Sequence, residues 1–167
     1  KAGGVYVPLD PALPNERLSY MLNDSGARVV LTHERLASKL PEFRGHIVLL
    51  DKDADELARY DGDNLPLYVQ PENLMYVIYT SGSTGLPKGT TVPYLPATNH
   101  FLRTQSVMEL TPDDRVLQFY SLSFDGSLEQ IVPSLVSGAC LFLRDRARGQ
   151  RRCLTAEGKP SAEVNAS

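Results

Sequence analysis

The sequence predicts an α/β protein in which a mainly parallel β-sheet is covered by helices. Strand-like runs rich in Val, Ile, Leu and aromatic residues alternate with helix-like segments along the chain, and no internal repeat interrupts them. Most of these runs are continuously apolar, which is typical of strands buried on both faces of a parallel sheet. We predict such runs at residues 5–10, 27–32, 46–51, 74–80, 115–121 and 139–145.

The first helix is predicted from residue 14 to residue 25. Leu18, Met21 and Leu22 recur with helical spacing, and Gly26 gives a stop signal. Pro14 suits the first turn because a backbone N–H there would have no partner within the helix. We predict further helical segments at residues 33–40 and 127–138, and one helical turn in the acidic loop 51–64.

Composition limits the classes of function that the chain can have. It has 167 residues, 42% of them hydrophobic and 22% charged, with a formal net charge of −3. We expect neither a nucleic-acid footprint nor a membrane span, because the chain has no basic excess and no sufficiently long apolar run. It carries no secretory signal, and Cys140 and Cys153 lack metal-ligand spacing. We therefore predict reduced thiols, no metal site and a cytoplasmic location.

The chain begins at Lys1 without an initiator Met, so we expect an internal fragment of a longer protein. From Arg144 onward the apolar periodicity is lost, and five of the nine residues 144–152 are arginines. We predict a domain over residues 1–145 and a divergent, disordered tail over residues 146–167.

A glycine-rich loop, YTSGSTGLPKG at residues 79–89, follows the strongest strand-like run. A loop with few side chains lets its backbone N–H groups approach an anion, while its hydroxyls and Lys88 add neutral and charged donors. These features suit a polyphosphate at the end of a strand. The Walker loop does not match, because Pro87 stands five positions after Gly82 and Gly89 follows Lys88. A merely flexible Gly/Ser turn would explain the glycines but not the hydroxyls and the lysine.

This loop resembles the phosphate loop of the adenylate-forming superfamily, which includes acyl-CoA synthetases, luciferases and the adenylation domains of nonribosomal peptide synthetases. Two other stretches resemble the peptide-synthetase branch. They are KAGGVYVPLDPALPNERLSYMLNDSGARVVLT at residues 1–32 and FDGSLEQI at residues 124–131. The resemblance covers residues 1 to about 145 and implies part of the large N-terminal subdomain of such an enzyme.

The resemblance implies a two-step activation of an amino acid. The substrate carboxylate attacks the α-phosphate of ATP, with Mg²⁺, and pyrophosphate leaves. The acyl group then passes to the phosphopantetheine thiol of a neighbouring carrier domain, in a synthetase that also contains condensation domains. By position in the loop, the resemblance assigns binding of the β- and γ-phosphates to Thr80, Ser81, Gly82, Ser83, Thr84, Gly85 and Lys88.

The same resemblance assigns the substrate ammonium to Asp125 and the side-chain pocket to Gly126 and Glu129. A carboxylate beside an ammonium gives a charge-assisted hydrogen bond and disfavours acids without an amine. Asp125 could instead cap the following helix, and both roles could hold together. If Glu129 faces the pocket, it favours a substrate side chain that is cationic or donates a hydrogen bond. It could equally face solvent.

The three histidines, His33, His46 and His100, have no nearby nucleophile or ligand pair, so we predict surface or helix-start positions. Tyr94 stands where the family often has a histidine, with Pro93 and Pro96 beside it.

The later motifs that supply the adenine and ribose contacts and the catalytic lysine in this family are absent from the sequence. We therefore predict no catalytic residue in this chain, and no adenylation activity from the chain alone. Two alternatives stay open, namely a fragment of an acyl-CoA ligase and a non-catalytic remnant that only binds phosphate or nucleotide.

Overall fold

The computed structural model describes residues 2–63, 65–66, 68–82, 85–144, 151–154 and 160–164. The chain divides into two compact units, Lys1–Tyr94 and Leu95–Ser167. Both units combine helices and strands, and among the residues that the structure describes each unit contains one parallel strand pair. The predicted α/β class is confirmed.

The described residues of the first unit form two small sheets and three helices. Strands β1 and β2 pair in parallel, and strands β3 and β4 pair antiparallel. The predicted strand at residues 5–10 is reduced to one parallel bridge, between Tyr6 and Tyr76. The elements of this unit are α1 (Asn15–Ser25), β1 (Val29–Thr32), α2 (Glu34–Ala37), β2 (His46–Leu49), α3 (Ala54–Leu57), β3 (Leu74–Ser81) and β4 (Pro87–Pro93).

Helix α1 forms as its sequence pattern predicts. Leu18, Met21 and Leu22 are all buried, so the apolar face of the helix contributes to the core of the first unit. Pro14 precedes the helix at the N-cap position. Gly26 ends it with a left-handed backbone (φ 61°), which a residue with a side chain rarely adopts.

The β3–β4 hairpin is the main departure from the predicted topology of the first unit. The sequence indicates β3 but no strand after the glycine-rich loop. In the structure the chain reverses at this loop, and Pro87–Pro93 returns along β3. Thr90, Thr91 and Val92 have high strand propensity, and their pairing with β3 satisfies backbone groups that a loop would leave to water.

The second unit is built on a β–α–β unit extended by a β-meander. Strands β5 and β6 pair in parallel, and the connecting helix α5 packs on both of them. Strands β7 and β8 add antiparallel pairs in the order β5-β6-β7-β8. Its elements are α4 (Tyr94–Val107), β5 (Arg115–Gln118), α5 (Asp125–Val136), β6 (Cys140–Arg144), β7 (Arg151–Leu154) and β8 (Pro160–Val164).

Helix α4 begins at Tyr94, directly after β4 ends at Pro93, and Pro96 lies in its first turn, where proline is tolerated.

Strands β7 and β8 lie in the segment for which disorder was predicted. The amino-acid composition does not predict this strand pairing, because antiparallel strands are joined by backbone hydrogen bonds that do not depend on the side chains. Residues 145–150, 155–159 and 165–167 lie outside the described residues, and the domain division at residue 145 stays a prediction.

Cys140 is disulfide-bonded, so the predicted reduced thiol is wrong at this position. The pairing that brings β6 beside β7, the strand that carries Cys153, was not predicted. Within the described part of the chain, no helix is long and apolar enough to cross a membrane.

Candidate functional site

The end of the β3–β4 hairpin gathers most of the predicted phosphate-binding residues. Thr80 pairs with Lys88 across the two strands, and Ser81 pairs with Pro87 at the last rung of the ladder. Thr80, Ser81 and Lys88 are exposed to solvent, whereas Pro87 is buried. Two hydroxyls and one ammonium group therefore belong to neighbouring positions at one edge of the hairpin.

Gly82 and Gly85 shape the turn that joins the strands. The Gly85 N–H donates to the Gly82 carbonyl at 3.1 Å, and Gly85 has a left-handed backbone (φ 87°). A Cβ at Gly82 would collide with the carbonyl oxygen of Leu86 and would lie 3.2 Å from Cγ of Lys88. The aliphatic part of the Lys88 side chain therefore packs against Gly82, at a position where a side chain would crowd it. Ser83 and Thr84, also predicted to bind phosphate, lie outside the described residues.

The chemistry of this hairpin end suits an anion with several oxygens. Hydroxyls donate hydrogen bonds without adding charge, and Lys88 supplies one mobile cation. Glycine brings the backbone close enough to contribute N–H donors. No group of three or more His, Cys, Asp or Glu residues within the described ranges could hold a metal ion.

Tyr79 joins the hairpin to helix α1 at the third strand pair from the turn. Its side chain is buried (9% exposed), and its hydroxyl donates to Oδ2 of Asp24 at 2.7 Å. The Met21 carbonyl lies farther from this hydroxyl, at 3.4 Å. Burial, and then the hydrogen bond to the Asp24 carboxylate, raise the pKa of Tyr79 well above its ordinary value of 10.0.

This raised pKa predicts a loss of stability at high pH. The folded chain keeps the phenolic proton at pH values where the unfolded chain has released it. The stabilisation is therefore complete below about pH 10 and is lost as the pH rises towards the folded-state pKa. We expect the unfolding free energy to fall more steeply between about pH 9 and 11 in the wild type than in Tyr79→Phe. Urea titrations at both pH values measure this difference, and equal slopes would contradict the assignment.

Asp125 lies at the beginning of α5, where the chain leaves β5. Phe124 is the N-cap residue with an extended backbone, and Asp125 is the first helical residue. Oδ1 of Asp125 accepts a hydrogen bond from the Gly126 N–H at 2.9 Å. The side chain therefore assists the helix start without being the cap residue. Asp125 is exposed, so its carboxylate is accessible to a ligand ammonium as well.

Glu129 lies one turn after Asp125 and is bound by His100. Oε1 of Glu129 is 2.7 Å from Nε2 of His100, which lies in α4, and both side chains are partly exposed. Because a carboxylate oxygen only accepts, a hydrogen bond here requires the proton on Nε2. Glu129 is therefore neither a fully solvated side chain nor an unpartnered pocket group.

Gly126 leaves room for an aromatic ring. A Cβ at Gly126 would lie 3.2 Å from Cδ2 of Tyr120, so the Tyr120 ring takes the place beside the helix that a side chain would fill. The side chain of Gln130 accepts hydrogen bonds from the N–H groups of Phe119 and Tyr120 at 2.9 and 3.2 Å. This contact fixes the segment between β5 and α5.

The structure thus adds Asp24, Tyr79, His100 and Tyr120 to the residues around the two predicted sites. The sequence could have indicated Tyr79, because this residue directly follows an apolar strand-like run and opens the glycine-rich loop. No feature of the sequence indicated Asp24 or Tyr120. His33 is the N-cap residue of α2, in agreement with its predicted helix-start position.

The comparisons with known proteins agree with this architecture. The family described as "AMP-binding enzyme" matches residues 1–159, which is most of the chain. The chain therefore belongs to the AMP-binding enzyme family.

Among curated relatives, one of the linear gramicidin synthase proteins of Brevibacillus parabrevis is 46% identical over 146 residues, which cover 87% of this chain. Phosphinothricin tripeptide synthetase PhsC of Streptomyces viridochromogenes is 45% identical over 149 residues, or 88% of the chain. The chain spans only 2% of the first protein and 14% of the second. The predicted resemblance to nonribosomal peptide synthetases is confirmed by these matches.

Solved structures of two other proteins superpose on most of this chain. The nonribosomal peptide synthetase FmoA3, crystallised with AMPPNP, superposes with a TM-score of 0.76 at 32% identity over 86% of this chain and 15% of that one. VinN superposes with a TM-score of 0.72 at 26% identity over 83% of this chain and 36% of VinN.

Proposed function

We propose that this chain is part of an ATP-dependent synthetase that activates an amino acid for nonribosomal peptide synthesis. In the first step the substrate carboxylate attacks the α-phosphate of ATP, giving an aminoacyl-adenylate and pyrophosphate. In the second step the thiol of a carrier-bound phosphopantetheine attacks the acyl carbon and releases AMP. The observation that carries the proposal is the hairpin end, where Thr80, Ser81 and Lys88 surround a turn built on glycine.

The hairpin end would bind the β- and γ-phosphates of ATP. Hydroxyls and backbone N–H groups would contact the phosphate oxygens, and Lys88 would offset charge that develops as pyrophosphate departs. The related FmoA3 structure contains AMPPNP, which supports a nucleotide ligand. Mg²⁺ would accompany the nucleotide. Ser83 and Thr84 complete the proposed set by their place in the loop sequence.

Asp125 would bind the α-ammonium of the amino acid at the start of α5. The carboxyl ends of parallel strands are where open α/β sheets bind ligands, and Asp125 follows β5 at that end. Gly126 and Glu129 would line the side-chain pocket. VinN, a relative of this fold, has been solved with L-aspartate and with 3-methylaspartate, which supports an amino acid as the substrate class.

The role of Asp125 is testable in the natural protein that contains this segment. We expect Asp125→Ala to lower kcat/KM for the amino acid by about tenfold or more, because a charge-assisted hydrogen bond to the ammonium is lost. Amino-acid-dependent ATP–pyrophosphate exchange measures this effect. Asp113→Ala, which removes an exposed carboxylate from the loop before β5, is the matched control.

The outcomes separate this function from its alternatives. Exchange that depends on a fatty or aryl acid, and that Asp125→Ala leaves unchanged, would indicate an acyl-CoA ligase. A parent protein without exchange for any acid would indicate a non-catalytic remnant.

We also propose that the chain on its own does not adenylate amino acids. The purified chain should give no amino-acid-dependent exchange above a blank without protein, at any amino acid tested. Exchange by the purified chain would show that residues outside this sequence are dispensable.

The partners follow from the proposed reaction. A carrier domain would accept the acyl group, and a condensation domain would use it to form the peptide bond. The predicted cytoplasmic location belongs to the same proposal.

A further inference from the structure

Tyr79 makes two contacts at the third strand pair from the turn of the hairpin. Its hydroxyl binds Asp24 in the last turn of α1, a helix whose own position is fixed by a buried apolar face. Its ring also lies against Gly89 of β4. A Cβ at Gly89 would lie 3.2 Å from Cζ of Tyr79 and 3.0 Å from Cγ1 of Val77.

These contacts of Tyr79 lie directly beside the proposed phosphate site. Tyr79 pairs with Gly89, and the next rung of the ladder pairs Thr80 with Lys88. No residue separates the anchored ring from the first hydroxyl of the site. A shift of the Tyr79 backbone would therefore displace Thr80 and Lys88 together.

We propose that Tyr79, bound through its hydroxyl to Asp24, is a positioning residue for phosphate binding at the hairpin end. This inference rests on the proposed function, since it concerns the same site. The hydrogen bond joins the hairpin to α1 and thereby fixes the position of the next strand pair, in which Thr80 and Lys88 share one face of the hairpin.

Packing alone is the competing explanation, because a buried aromatic ring stabilises a core without its hydroxyl. Tyr79→Phe separates the two explanations, since it keeps the ring and removes one oxygen. Asp24 gives a second test. Asp24→Asn keeps an acceptor oxygen for the Tyr79 hydroxyl, whereas Asp24→Ala removes it. Tyr60→Phe, at a tyrosine that is 71% exposed in the same unit, is the matched control.

The experiment uses the full chain and magnesium tripolyphosphate as the ligand, measured by calorimetry. We expect Tyr79→Phe and Asp24→Ala each to raise Kd by about tenfold. We expect the double variant to be no weaker than either single variant, because both remove the same bond. Asp24→Asn should restore most of the affinity, and Tyr60→Phe should match the wild type.

Amide hydrogen exchange gives a second measurement that does not require ligand. Exchange at Lys88 and Gly89 should be faster in Tyr79→Phe, while the buried residues Leu18 and Leu22 of α1 keep wild-type rates. Uniformly faster exchange would indicate a purely structural role and overturn the proposal.

Two further results would also overturn it. One is an additive loss of affinity in the double variant, and the other is an Asp24→Asn variant as weak as Asp24→Ala. If the wild type itself fails to bind tripolyphosphate, the proposed phosphate site is wrong in this chain. The exchange rates alone then decide whether Tyr79 positions the hairpin.

Discussion

Gly82→Ala is expected to weaken binding of Mg·ATP by about 100-fold, since it displaces both the turn and Lys88, and each hydrogen-bonded or charge-assisted contact that is lost costs about tenfold. The added Cβ would collide with the carbonyl oxygen of Leu86, which belongs to the backbone. A flexible side chain could move away at little cost, but a backbone carbonyl moves only with its neighbours. The turn between β3 and β4 would have to open, and Lys88 would be displaced because its Cγ lies against the same glycine.

Gly62→Ala is the matched control for this substitution. A Cβ at Gly62 meets nothing within 4 Å, and the residue lies in a loop of the same unit. We expect wild-type affinity and an unchanged unfolding midpoint from Gly62→Ala, whereas Gly82→Ala should also lower the unfolding midpoint because its turn must open. Wild-type affinity in Gly82→Ala would mean that the turn does not contact the nucleotide.

Leu141→Ala is expected to lower the unfolding free energy by about 2–5 kcal/mol, the usual range for truncation of a buried leucine. Leu141 is 2% exposed and lies in β6, between β5 and β7. The truncation leaves a cavity in the centre of a sheet, where neighbouring strands are hydrogen-bonded and relax little. Because α5 packs on β5 and β6, this core also supports Asp125.

Leu102→Ala provides the comparison for Leu141→Ala. Leu102 is 53% exposed in α4 of the same unit, so its truncation should change the unfolding free energy by less than about 0.5 kcal/mol. Denaturant unfolding monitored by circular dichroism measures both. Similar losses from the two variants would contradict the assigned core.

Local signals predicted much of the fold correctly. The spacing of Leu18, Met21 and Leu22 and the stop at Gly26 predict α1, because an amphipathic helix and its terminus are encoded within one short segment. The strand before the glycine-rich loop is equally evident from its apolar run. The composition of that loop predicts its chemistry, since glycines, hydroxyls and a lysine are together in the sequence itself.

Contacts between distant segments could not be predicted in this way. His100 and Glu129 are 29 residues apart, and Tyr79 and Asp24 are 55 residues apart. Each pair depends on how helices pack, which one sequence does not reveal. The antiparallel return of β4 is missed for a related reason. Glycines and hydroxyls indicate a ligand-binding loop equally well whether or not that loop is also a hairpin turn.

The most direct test of the proposed phosphate site is calorimetric titration of the purified chain with Mg·ATP, comparing the wild type with Lys88→Ala. We predict that the wild type binds and that Lys88→Ala raises Kd by about tenfold, because one charge-assisted contact to phosphate is lost. Lys52→Ala, at a lysine paired with Glu34 elsewhere in the same unit, should leave Kd unchanged. Equal affinity in the wild type and Lys88→Ala, or no binding by the wild type, would contradict a phosphate site at the β3–β4 hairpin.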